Sequence, residues 1–195
     1  MRLLPPLAAL CSLIACAPDL REDRAVDSLP QDADTGGLIT DGDTRALTVD
    51  ATVSDVWVYL DLEDGALVSP ADPRQDDTWH LALQRYNLAV NGGVSGSGGV
   101  EVASVEGRDL DGLIAAPAEG WRTDLADADG DGAPEYALGD WYDYDAATHV
   151  LSPANRIYAL CDGAGSCFKL SIEGYYDDVG TPAMLSLGWA PLPPR

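Results

Sequence analysis

Basic residues are scarce in this chain: 11 lysines and arginines face 33 acids, for a formal charge of −22 at pH 7. A surface of that sign repels phosphate backbones, which excludes nucleic acid as a partner, and it is not drawn to anionic lipid head groups. It favours solubility, metal cations and basic partners instead. Sustained amphipathic periodicity at 3.6 residues is also missing, so a helical bundle is excluded. The apolar run from Leu3 to Ile14 is too short to span a bilayer. No Ser/His/Asp spacing falls at a recognisable nucleophile elbow, and the carboxylates are too numerous to nominate a general acid–base pair. The chain reads as a non-enzyme.

What is present begins with an export signal. Arg2 followed by the apolar run has the form of a signal peptide, and Leu13-Ile14-Ala15-Cys16 fits a bacterial lipobox, in which the cysteine is acylated and becomes the mature N-terminus. Acyl chains on Cys16 hold a protein on a membrane without a transmembrane helix. Ala17 rather than Asp follows, so the expected address is the outer membrane, with the chain exposed at its surface. Residues 17–45 carry eight acids, three arginines and no aromatic residue, the composition of a disordered, self-repelling tether. The expected organisation is therefore a signal and anchor over 1–16, a tether over 17–45 and one domain over 46–195.

That domain reads as mainly β, an open sheet or sandwich of antiparallel hairpins with little helix. Ala46 to Val53 and Asp55 to Leu62 alternate apolar and polar residues, and Leu67-Val68 extends the second after a turn at Asp64-Gly65. From Trp79 the apolar set occupies odd positions and from Tyr86 even ones, so a single long strand with a bulge or change of sheet at Gln84-Arg85 is expected. Asn91-Gly92-Gly93 and the glycines to Gly99 then form an enlarged hairpin tip before Val100 to Val105. The tip lacks the order of a phosphate loop, and no lysine lies near it. Further strands are expected at Tyr142–Leu151, Ile157–Cys161, Cys167–Tyr176 and Met184–Trp189, with at most one helical turn at Leu110 to Ala115. Cys161 and Cys167 flank a turn-rich insert between two strand-like runs, which predicts a disulfide in an exported protein.

Asp127-Ala128-Asp129-Gly130-Asp131-Gly132 opens like a calcium loop, with three carboxylates converging and a glycine for the sharp turn. The twelfth position is Leu138 and no helices flank the motif, so it is not an EF-hand. A non-helical calcium site is expected on Asp127, Asp129 and Asp131, with Glu135 or Asp140 completing the oxygen shell. The alternative is a solvated acidic turn.

Trp79, Ala82, Arg85, Tyr86, Asn91, Gly93 and Val100 to Val102 together resemble the HmuY family of bacterial haem-binding lipoproteins. The resemblance continues through Pro117, Gly120, Trp141-Tyr142, Tyr144, Phe168-Lys169-Leu170, Tyr175-Tyr176 and Gly180-Thr181. It implies a single β-rich surface domain that takes up haem for an outer-membrane receptor. Haem requires an axial ligand, and imidazole and thioether are the usual ones. His149, beside the Trp141-Tyr142-Tyr144 cluster, comes first; Met184 is second and His80 third. Arg85, Arg122 and Arg156 are the available partners for propionates. The second reading is a calcium-stabilised surface interaction module of the same fold without haem.

Overall fold

The computed structural model describes residues 36–107 and 109–195, and twelve strands run through them. In chain order they are β1 (Ile39–Asp41), β2 (Thr44–Asp50), β3 (Val58–Asp61), β4 (Ala66–Val68), β5 (Leu81–Gln84) and β6 (Asn87–Val90). Then follow β7 (Glu101–Glu106), β8 (Tyr142–Asp145), β9 (Val150–Pro153), β10 (Arg156–Cys161), β11 (Cys167–Tyr176) and β12 (Pro182–Leu192). All pairings are antiparallel. One sheet has the order β1-β2-β12-β11-β10-β7, a second β4-β3-β5-β6, and β8-β9 form a small separate ribbon. No described residue is helical, as the missing 3.6-residue periodicity requires.

Alternation along the strands builds one core between the two larger sheets. Leu60, Leu81, Leu83, Leu88 and Val90 face Leu47, Val49, Leu170, Leu185, Leu187 and Trp189 across it. Each such side chain contributes about 1.5–3 kcal/mol when fully buried. The indole of Trp189 donates to Leu62 O at 2.9 Å, so this core tryptophan also keeps its polar atom satisfied. The outward row of the six-stranded sheet, Ala159, Cys161, Cys167 and Leu192, packs under Leu113, Ala116 and Trp121. The stretch after β7 whose pattern dissolves therefore covers that outer face, and residues 109–113 form tight i→i+3 turns rather than a helix. Cys161 and Cys167 stand opposite each other in the β10–β11 register and are joined by a disulfide.

Four expectations change. The expected boundary at Ala46 falls inside β2, and strand pairing already reaches Ile39 through the Ile39↔Ala46 register; the signal, Cys16 and the first part of the tether lie outside the described residues. Trp79 to Val90 is not one strand: β5 and β6 form a tight hairpin whose turn is Arg85-Tyr86, with Arg85 at φ 55. The shift of apolar parity marks the chain reversing rather than bulging. Tyr142–Leu151 is likewise a hairpin, β8 turning into β9 through residues 146–149.

The glycine-rich run is consequently not a hairpin tip but the crossing from β6 in the small sheet to β7 in the large one. It wraps the side chain of Asn91, which is fully buried. Asn91 Nδ2 donates to Asp76 O and Trp79 O, both at 2.8 Å, and Oδ1 accepts from Gly98 N at 3.0 Å. A Cβ at Gly96 would stand 1.9 Å from Asn91 Oδ1 and one at Gly98 2.8 Å from its Cγ, so both positions need glycine for close approach.

Candidate functional site

The β8–β9 ribbon projects from a fixed base. Trp141 is buried at its foot, donates from its indole to Tyr86 O at 2.8 Å, and packs against Tyr142 and Tyr175 at ring separations of 5.0 and 5.9 Å. Leu151 N donates to Tyr176 Oη at 3.2 Å, tying β9 to β11. Trp141 therefore anchors the ribbon rather than walling a pocket.

Successive odd or even residues of a strand share a face, so Tyr142 and Tyr144 lie on one side of β8. Tyr142 meets the ring of Tyr86 at 6.2 Å, and Tyr144 Oη bonds His149 Nδ1 at 2.6 Å. The result is a strip running from the Arg85-Tyr86 turn through Tyr142 and Tyr144 to His149, with Tyr86 49% and Tyr144 53% exposed. His149 is exposed at the tip with φ 59, a conformation histidine tolerates better than most side chains. Asp145 shapes that tip: its carboxylate accepts from Ala147 N and Thr148 Oγ1, both at 2.8 Å, and its carbonyl from His149 N. These bonds hold the Asp145 carboxyl below its ordinary pKa. With Nδ1 engaged by Tyr144, the Nε2 atom of His149 has no partner among the described residues. A bond of this kind to one ring nitrogen fixes the orientation in which the other is presented.

The other haem candidates are placed differently. Met184 is 4% exposed within β12 and shares no surface with His149. His80 is 5% exposed, its Nδ1 3.2 Å from both Leu62 N and Asp61 Oδ1 and its Nε2 3.5 Å from Asp162 Oδ2, with Phe168 against its ring. Neither side chain can reach an external iron as placed. Arg85 is half-buried, donates to Thr52 O at 3.1 Å, and begins the strip. Arg122 and Arg156 are both spent on Asp140, which also lies 3.3 Å from Tyr158 Oη. Burial, followed by the Asp140 charge, pushes the Tyr158 phenol well above its ordinary range. These two arginines are thus not free for propionates, and Asp140 is not free to complete a calcium shell. The strip offers two features that suit a haem: one exposed imidazole for the iron and an aromatic face leading away from it.

In the acidic loop, oxygens of Asp127, Asp129 and Glu135 lie within 4.8 Å of one another. Asp131 stands outside that group, its carboxylate accepting from Ala133 N at 2.8 Å. Several oxygens already serve the turn: Asp127 accepts from Gly130 N and Gly132 N, Asp129 from Asp131 N, and Glu135 from Ala128 N. The residue at this loop that sequence reasoning missed is Asp124. Fully buried, it accepts from Val90 N at 3.0 Å and Ala137 N at 2.7 Å, pinning the acidic loop to β6. Burial raises its pKa, partly offset by these bonds.

The sequence model of HmuY protein matches residues 54–189. The chain belongs to the HmuY family. Solved structures agree on the fold: a HmuY analog of Tannerella forsythia in its apo form (16% identity, TM-score 0.61, covering 83% of this chain and 100% of that one). A HmuY-like protein of Bacteroides vulgatus ATCC 8482, named as haem-binding, follows at 17% identity and TM-score 0.58, covering 77% and 94%. A protein of Bacteroides fragilis NCTC 9343, named as a lipoprotein, has 20% identity and TM-score 0.59, covering 78% and 94%. No curated protein sequence matches the chain. At these identities the HmuY-like structures support the architecture, while the side chains of the strip must be argued from this chain itself.

Proposed function

We propose that this HmuY-family protein is a non-catalytic, lipid-anchored haem-binding protein of the outer membrane, exposed at the cell surface and passing haem to an outer-membrane receptor. The family supports the ligand class, and the lipobox at Cys16 supports the anchor. The observation that carries the site is the Tyr86–Tyr142–Tyr144–His149 strip, in which the one exposed histidine is oriented by a tyrosine. His149 would hold the iron through Nε2, Tyr144 would orient it, and the rings of Tyr142 and Tyr86 would lie along the macrocycle. Arg85, at the far end of the strip, is the cationic side chain that would serve a propionate. Haem itself supplies the iron chemistry; the protein supplies the ligand, the apolar face and the address.

Hemin titration of the purified chain tests this reading. A saturable one-to-one Soret shift is expected, weakened in His149→Ala and altered in position in Tyr144→Phe. Featureless adsorption, or a shift indifferent to His149→Ala, sinks the assignment.

The second reading is a calcium-stabilised interaction module, favoured by the convergence of Asp127, Asp129 and Glu135. A bound dication would relieve the repulsion among these carboxylates. Melting in calcium and in chelator decides it: a site raises the midpoint with free calcium, and equal midpoints rule the site out.

A further inference from the structure

The outward face of the four-stranded sheet carries a groove of about 550 Å³ that has no part in the strip described above. Its floor is flat because Ala82 and Ala89, paired across β5 and β6, present only methyl groups. Two edge-to-face aromatic pairs form its walls: Trp57 with Tyr136 at 5.8 Å and Tyr59 with Trp79 at 5.1 Å. Trp79 Nε1 donates to Pro73 O at 3.0 Å, and Asp72 Oδ1 accepts from Arg74 N at 3.2 Å. The Asp72-Pro73-Arg74 turn is thereby held at the groove's rim.

Arg74 is distinctive in a chain of net charge −22. Among the described residues Arg45, Arg85, Arg122, Arg156, Lys169 and Arg195 each bond a backbone carbonyl or a carboxylate. The Arg74 guanidinium alone among them has no partner, and it lines the groove. The hydroxyls of Tyr59 and Tyr136, also lining it, are without partners among the described residues. Burial raises both phenol pKa values, so each stays a neutral donor at physiological pH.

We propose that this groove binds an acidic sugar ring, a hexuronate or a sugar acid of similar shape. The C–H-rich face of a pyranose carries the partial positive charge that the faces of aromatic rings attract. Its ring hydroxyls match the two phenols, and its carboxylate matches the planar fork of Arg74. An apolar aryl acid would call for an enclosed pocket without free hydroxyls on its walls. Asp72 shares the rim, but its carboxylate already accepts from Arg74 N and Gln75 Nε2, which leaves the Arg74 guanidinium as the groove's open cation and makes the ligand carboxylate the selective element.

The test is calorimetric titration of the full chain with sodium glucuronate, with glucose and benzoate as comparison ligands. Glucuronate is expected to bind saturably, at least about tenfold more tightly than glucose, the ratio expected of a charged hydrogen-bonded pair, and more tightly than benzoate, which has the carboxylate but no ring hydroxyls for the two phenols. Arg74→Ala, at an exposed position that leaves the fold intact, removes the preference over glucose; Arg74→Lys restores part of it; and Trp57→Ala weakens all binding. Hemin titration is unchanged in both alanine variants, which separates this site from the haem strip. Absence of glucuronate binding at millimolar concentration, equal binding of glucose, equal or tighter binding of benzoate, or indifference to Arg74→Ala each overturns the proposal.

Discussion

Replacing Asn91 by alanine should cost more stability than any single substitution at a half-exposed polar residue of this domain. The side chain is fully buried and makes three hydrogen bonds, to Asp76 O, Trp79 O and Gly98 N. Each buried group left without a partner costs about 1–3 kcal/mol, and water can reach the partly buried Asp76 and Gly98 atoms more easily than Trp79 O. A loss of about 3–4 kcal/mol follows, which for a domain of this size lowers the melting midpoint by about 6–16 °C. The glycine loop supplies a stricter check. Gly98→Ala places its Cβ 2.8 Å from Asn91 Cγ and Nδ2, atoms that Asn91→Ala removes. The two substitutions should therefore couple, the double variant being more stable than the sum of the singles predicts by about 1–3 kcal/mol. Urea unfolding of the four proteins, followed by tryptophan fluorescence, measures the cycle. Additivity within about 0.5 kcal/mol would refute the claim that the loop is built around this side chain.

A carboxylate titration by NMR should find Asp145 and Asp177, each bonded by turn amides, below the ordinary aspartate range and Asp124 above it. The first two contribute stability that is present above the unfolded pKa and lost as pH falls through the folded one; the Asp124 contribution runs the other way, lost as pH rises through its raised folded pKa. Asp124→Asn should therefore remove that rising-pH loss, seen as a shallower fall in stability between acid and neutral pH than wild type once the other groups are matched. Removing the Cys161–Cys167 bond by a double alanine substitution should lower stability by about 2 kcal/mol, as its short loop implies, with hemin binding unaffected. Asp140→Ala leaves Arg122 and Arg156 without their shared carboxylate and should destabilise by about 1–2 kcal/mol, an effect that shrinks in high salt.

The β architecture was legible because period-2 alternation is set by burial on one face, and most strands lie where that alternation runs. The two hairpins read as single strands mark where it misleads. Arg85-Tyr86 reverses the chain without the glycine or asparagine that usually signals such a turn, and Arg85 adopts positive φ while its N–H and guanidinium donate to Ala51 O and Thr52 O. At 146–149 the reversal is enforced by Asp145, whose bonds to Ala147, Thr148 and His149 are local and leave no apolar signature. His149 could be nominated from composition, but its bond to Tyr144 follows only once β8 and β9 are folded against each other. Asn91 looked like part of a turn and proved to be the centre of one. Asp124 sits in a run of acids, where nothing in the sequence separates the one buried carboxylate from its solvated neighbours. The arginines offered to propionates were already committed to Asp140, a pairing across 18 and 16 residues that spacing does not reveal.

The place of the last strand has a consequence for how the molecule is made. β12 lies between β2 and β11, so the first long strand of the large sheet has no inner neighbour until the final residues arrive. Loop-closure entropy for such a distant pairing must be overcome before its contacts form, which places this topology among the slower folders. Until β12 takes its place, β2 can pair only with β1, and the large sheet stays divided into a β1–β2 ribbon and a β11–β10–β7 ribbon; joining the two is the step that closes the core.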